Sequence, residues 1–155
     1  MFDNNSLMNI FNNKVLVITL SIWALAQTIK VILGVIREKR FNFKWFIGTG
    51  GMPSSHAAGA TALATTCGLE VGFTTPLFAL AVVFALVTMF DAQGVRRETG
   101  IQAEILNKIL EDIYWKGKIE TNRLAELIGH TPIQVFIGSI IGLILSLIFY
   151  HLWGA

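Results

Sequence analysis

Charged residues are scarce in this chain. Only 14% of its 155 residues are Asp, Glu, Lys or Arg, against about 25% in an ordinary soluble domain. The twelve basic and ten acidic residues leave a net charge of +2, which singles out no partner and gives no reason to expect a nucleic acid. Cysteine is rarer still. Cys67 stands alone, which excludes a disulfide framework within the chain. With small residues around it and no basic neighbour, it reads as a packing residue rather than a reactive thiol. No internal repeat, low-complexity tract or flexible linker interrupts the sequence, and its length suits one domain, 1–155.

Apolar residues make up 54% of the chain, and their distribution is the informative part. Residues 15–29, 57–69 and 71–90 carry no charge, nor do 131–155 apart from His151. A helix needs roughly 20 mostly apolar residues to span a bilayer, because lipid offers the backbone no hydrogen-bond partner. The stretches 15–36, 53–73, 76–95 and 131–153 meet that length. A soluble helical protein would carry a polar stripe at helical period in each, and none does. The expected fold is all-α, a polytopic membrane bundle of about four membrane helices with an amphipathic helical insertion. Ala24-Leu25-Ala26 resembles a signal-peptide cleavage site. The apolar run continues to Ile36, however, and only Lys14 precedes it as a basic residue, so the first helix is expected to stay uncleaved.

After the first span, Arg37-Glu38-Lys39-Arg40 leads into Phe41, Phe43, Trp45 and Phe46 around Lys44, a mixture suited to the headgroup zone. Gly48-Thr49-Gly50-Gly51 then precedes Met52-Pro53-Ser54-Ser55-His56. Glycine permits a tight turn, and Pro53 suits the first position of a helix ending near Gly72. A short link reaches Pro76 and a third helix, expected to close at Asp91 to Arg97. Residues 98–130 are the one sizeable polar segment. Within them Ile101, Ile105, Ile109 and Ile113 recur every four residues, the mark of an amphipathic helix lying on the membrane. A turn at Lys116-Gly117-Lys118 and a short helix over Thr121 to Ile128 follow, before Thr131 and Pro132 open the last span.

With four crossings, the links 37–52 and 96–130 share one face. That face collects Arg37, His56, Arg96, Arg97 and His130, none of which the hydropathy pattern required to agree. Lys30 and Arg37 are seven residues apart on one helix face, and an ionisable residue at the depth of Lys30 is a functional candidate. Unpaired N–H groups at a helix start make Pro53-Ser54-Ser55 a plausible anion seat. Arginines add bidentate donors suited to phosphate oxygens. Two histidines permit one to attack phosphorus while the other protonates the leaving oxygen. Each residue alone has an ordinary explanation: a snorkelling lysine, topology-setting arginines, structural histidines. Their joint placement argues for phosphoryl chemistry.

These residues resemble the phosphatidic acid phosphatase type 2 superfamily, which includes vanadium haloperoxidases, and specifically its small divergent branch. Lys30 to Arg37 matches the family's lysine, six residues, arginine spacing, with Glu38 where proline is usual. Pro53-Ser54-Ser55-His56 resembles Pro-Ser-Gly-His, with Ser55 for glycine. The third motif is split: Arg96 or Arg97 supplies its arginine and His130-Thr-Pro-Ile-Gln134 its histidine end, separated by the insertion 98–129. The resemblance implies a helical membrane fold and a metal-free lipid phosphatase without a cofactor. His130 would form a phosphohistidine and His56 protonate the leaving group. Lys30, Arg37, Ser54, Ser55 and Arg96 or Arg97 would hold phosphate oxygens. Gln134 stands where the family has an aspartate behind the nucleophile, and Asp91 is the carboxylate expected to compensate.

The leading expectation is therefore a membrane lipid phosphate phosphatase whose partners are its lipid phosphate substrate and the surrounding membrane lipids, with a homo-oligomer also open. The alternatives are a non-enzymatic protein binding anionic headgroups through the same basic face and, more remotely, a small transporter. Ten of the twelve lysines and arginines fall in the links 37–52 and 96–130, so the positive-inside bias puts the candidate site in the cytoplasm. Bacterial superfamily members commonly act on the outer face, so the two arguments oppose one another. A Lys118→Cys variant in a Cys67→Ser background is expected to resist a membrane-impermeant thiol reagent in intact cells and to react after permeabilisation. Labelling of intact cells would reverse the assignment.

Overall fold

Asn13 starts the first long helix, its Oδ1 accepting the Leu16 N–H at 3.0 Å and so satisfying one of the amides a helix start leaves open. In the computed structural model, which describes residues 9–39, 51–114 and 130–154, a 3-10 turn at Asn9–Asn12 precedes five α-helices. These are α1 (Lys14–Glu38), α2 (Ser55–Val71), α3 (Pro76–Gln93), α4 (Val95–Tyr114) and α5 (Pro132–Gly154). The expected aromatic segment at 41–46, the turn at 116–118 and the short helix at 121–128 lie outside the described residues.

Local chemistry sets the boundaries, and two differ from expectation. Pro53 does not open α2. Ser54 is its N-cap, with Oγ accepting the Ala57 N–H at 3.3 Å, so the proline, which has no N–H to offer, falls before the cap. Arg96 and Arg97 do not close α3. Gly94 ends that helix by donating its N–H to the Phe90 carbonyl, and the two arginines then sit in the first turn of α4. Thr75 caps α3 with Pro76 at its first position, and Thr131 caps α5 through the Gln134 N–H at 3.4 Å.

Among the described residues three helices, α1, α3 and α5, are long and apolar enough to cross a membrane. The remaining expected span, α2, has 17 residues and is about 25 Å long, somewhat short of a hydrocarbon core of about 30 Å. It is also the central element. Ala58 and Ala62 pack on Ile18, Ile22 and Ala26 of α1, while Ala60, Ala64 and Cys67 pack on Ala81 and Ala85 of α3. Small residues suit this position, because helices in lipid associate through close packing rather than by expelling water.

The tightest approach is made by α5. A Cβ at Gly138 would collide with the Ser54 carbonyl, and one at Gly142 with the Ala58 carbonyl. Ser146, four residues further on, is fully buried. At the end where α1 starts and α5 finishes, the Tyr150 hydroxyl lies 3.1 Å from the Leu69 carbonyl and 2.9 Å from Glu70 Oε2. There Lys14 Nζ stands 5.5 Å from the centroid of the Tyr150 ring. The end of α1 at Glu38, the start of α2 at Ser55, the end of α3 at Gln93 and the start of α5 at Pro132 thus lie at the opposite end, as alternating crossings require. On α4, Ile101, Ile105 and Ile109 are exposed on a helix that packs only against α3 among the described elements, so its apolar stripe is available to the membrane surface.

The close approach of α5 yields a stability prediction. Gly142→Ala forces α5 away from the Ala58 backbone and is expected to cost about 1–3 kcal/mol. Gly154→Ala, with nothing within 4 Å of an added Cβ, should be neutral. Thermal unfolding of both variants in detergent compares them; equal midpoints would show that the contact is slack.

Candidate active site

Because α5 lies against the first turn of α2, the residues before each helix are brought together. The Ser54 N–H donates to the Gln134 carbonyl at 3.2 Å, and the His130 N–H donates to the Ala92 carbonyl at 3.1 Å. Three helix ends are thereby joined by backbone bonds, over an apolar contact of Ala57, Ala92 and Val135. His130 is almost fully buried, at 1% exposure, and its ring centroid lies 6.1 Å from that of His56.

Gln134 sets the state of His130. Thr131 and Gln134 form a reciprocal capping pair, each side chain accepting the other's backbone N–H, at 3.4 and 3.0 Å. A backbone N–H can only donate, so the Gln134 atom facing Thr131 is the amide oxygen. That oxygen also lies 3.3 Å from His130 Nδ1. In the neutral ring Nδ1 therefore carries the proton, and the buried Nε2 is the basic nitrogen. An amide orients the ring as a carboxylate would, but brings no charge to stabilise an imidazolium.

Lys30 is buried, at 6% exposure. Gly51 crosses its aliphatic stem closely enough that a Cβ there would stand 3.2 Å from Lys30 Cγ. Its φ of +85° also favours glycine. One turn earlier on α1, buried Gln27 accepts a 2.8 Å hydrogen bond from the Ser55 hydroxyl. The bond ties the lysine-bearing helix to the residue beside His56.

The structure thus brings Lys30, Ser54, Ser55, His56 and His130 to one end of the bundle. Arg37 is exposed in the last turn of α1, and Asp91 is exposed on α3 next to Ala92. Arg96 and Arg97 begin α4, their side chains outside the described residues. His151, which carries no expected role, is exposed near the end of α5. Sequence reasoning missed Gln27 and the capping role of Gln134. The first shares a face with Lys30 at three-residue spacing. The second belongs to a Thr-x-x-Gln string, a recognisable helix-start signature.

Residues 11–145 match the sequence profile of a family described as "Divergent PAP2 family". The chain is 40% identical over 152 residues to YuiD of Bacillus subtilis (strain 168), described as an uncharacterized membrane protein. That alignment covers 91% of this chain and 96% of the relative. No solved structure is significantly similar.

The hydrogen bonding predicts a tautomer. Nitrogen NMR of histidine-labelled protein is expected to find His130 as the Nδ1–H form, and Gln134→Leu should give a mixture of both forms. A wild-type ring protonated on Nε2 would remove Gln134 as its anchor.

Proposed function

Since the chain belongs to the divergent PAP2 family, we propose that it is an integral-membrane phosphatase acting on a lipid phosphate monoester, with its site on the cytoplasmic face. The observation that carries this reading is the convergence of two imidazoles, 6.1 Å apart, with a buried lysine and a serine-capped helix start at one end of a membrane bundle. In this scheme His130 Nε2 attacks phosphorus. The bond from phosphorus to the lipid oxygen breaks as His56 delivers a proton to that oxygen. Water then attacks the phosphohistidine, with His56 taking the water proton, and releases phosphate.

Lys30, Arg37, Ser54 and one of Arg96 and Arg97 neutralise the phosphoryl oxygens, the part a metal plays elsewhere. Ser55 contributes through its neighbours, its hydroxyl being engaged by Gln27 at 2.8 Å. Gln134 holds the His130 ring while Asp91 supplies carboxylate character near the end of α3. The neutral amide also keeps the rival reading alive, since a site that binds a headgroup without turning it over needs no charge behind the histidine.

A panel of lipid phosphates presented to the purified protein in proteoliposomes tests the proposal. Phosphate release and a trapped phosphoenzyme are expected, and His130→Ala should abolish both. His56→Ala should slow poor leaving groups far more than good ones. Gln134→Leu and Asp91→Asn, assayed side by side, apportion the orienting role, the greater loss marking the residue that holds it. Activity should survive EDTA. Headgroup binding without release by the wild type would favour the non-enzymatic reading.

A further inference from the structure

Three contacts fix how α1 lies along the start of α2. A Cβ added at Gly59 would lie 3.3 Å from Trp23 Cβ, and one added at Gly51 would lie 3.2 Å from Lys30 Cγ. Between them the Ser55 hydroxyl donates to Gln27 Oε1 at 2.8 Å. Trp23, Gln27 and Lys30 are spaced by four and three and form one stripe of α1. Their partners run the other way, Gly59, Ser55, Gly51, so the two helices are antiparallel in a single register. The contacts differ in kind. Trp23 and Lys30 meet glycines, and Ile18, Ile22 and Ala26 meet Ala58 and Ala62. Close packing of this sort is non-directional, and a surface of small residues resists sliding or rotation weakly. The Gln27–Ser55 bond has direction. Both side chains are buried, so a shift of either helix takes that acceptor from a hydroxyl at membrane depth.

The register decides where Lys30 stands. Gln27 is level with Ser55, the first residue of α2. Three residues later, about 4.5 Å along α1, Lys30 is level with Gly51, which precedes that helix. The open amides of a helix start, and the positive end of its dipole, face that level. Pairing Ser55 with the next residue of α1 instead would turn Lys30 by about 100° and take it off α2. We propose that Gln27 is a positioning residue of the phosphate seat: its bond to Ser55 pins the register of α1 on α2 and so holds Lys30 at the helix start. A single buried polar contact setting the register of otherwise apolar helices is a well-attested use of such groups. The inference rests on the phosphate seat of the proposed phosphatase, though not on turnover.

Calorimetric titration of the purified full chain with orthovanadate, a phosphate mimic, reads the seat directly. Gln27→Met keeps the length of the side chain and removes the acceptor. It is expected to weaken orthovanadate binding about tenfold. KM for phosphatidic acid should rise by a similar factor, with kcat within about threefold. Thr28→Ala, which removes a hydrogen bond within α1 alone, should change neither. In a Lys30→Met background Gln27→Met should cost less than about twofold, because the residue it positions is gone. A bond that served only the fold would cost the same in both backgrounds, and that result overturns the proposal. Ser55→Ala removes the same bond from the α2 side and covers the case in which Gln27→Met does not fold. It should give the same loss, and the two together no more than either alone. Register is measured independently of binding by spin labels on Ile32→Cys and Val71→Cys, both exposed positions, in a Cys67→Ser background. Their distance distribution should broaden or shift on Gln27→Met. An unchanged distance, or unchanged orthovanadate affinity, overturns the proposal. Orthovanadate binding that depends on Gln27, without phosphate release from any lipid, would retain the inference and defeat the phosphatase reading. Phosphate release by the wild type with an unaltered KM in Gln27→Met would do the reverse. A wild type that neither binds orthovanadate nor releases phosphate defeats both.

Discussion

The contact of Gly138 and Gly142 with the backbone of Ser54 and Ala58 governs the arrangement of the site. A side chain at either glycine would strike a carbonyl oxygen, so the two helices meet nearly backbone to backbone. In lipid this counts for more than in water, because dispersion at close range is the main attraction between apolar helices. The consequence reaches beyond stability. With α5 seated there, its first turn lies beside the first turn of α2, and the Gln134 carbonyl can accept the Ser54 N–H. His130 and His56 are neighbours because two glycines several residues away are not alanines.

Gln134 then joins local structure to chemistry. As the third residue of α5 it completes a capping pair with Thr131, a role that glutamine and glutamate fill well and aspartate less often. The same oxygen reaches His130. Replacing a carboxylate by an amide keeps the geometry and gives up the charge. In the proposed phosphatase scheme the cationic intermediate on His130 would need stabilisation from other groups, and Asp91, beside the Ala92 whose carbonyl accepts the His130 N–H, is the carboxylate proposed for that part.

The short central helix sets the depth of the site. Among the described residues α2 is enclosed by three longer neighbours, α1, α3 and α5. Its N-terminus, with the dipole and the Ser54 cap, lies at the level of Lys30 on α1, and α1 continues for eight more residues to Glu38. On that geometry the start of α2 is sunk below the tip of α1 by about 12 Å, at the level where Lys30 is buried.

The sequence alone determined the elements and their alternation. Uncharged runs of span length, Thr75-Pro76 and Thr131-Pro132 as helix starts, and Gly72 as a stop are local facts, and local hydrogen bonding decides them. It also assigned His56 and His130 to one end, since alternation of crossings follows from counting spans. Some boundaries escaped it. Pro53 and Ser54 compete for adjacent positions at a helix start, and Arg96 and Arg97 belong to α3 or α4 according to whether Gly94 breaks the helix. Tertiary structure decided the rest. Gln27 becomes a tie to Ser55 only when α1 lies against α2, and Gln134 becomes the partner of His130 only when the cap folds back. Spacing along a chain reports which residues share a helix face, whereas what that face meets depends on how closely backbones approach, and here two glycines in α5 decide it.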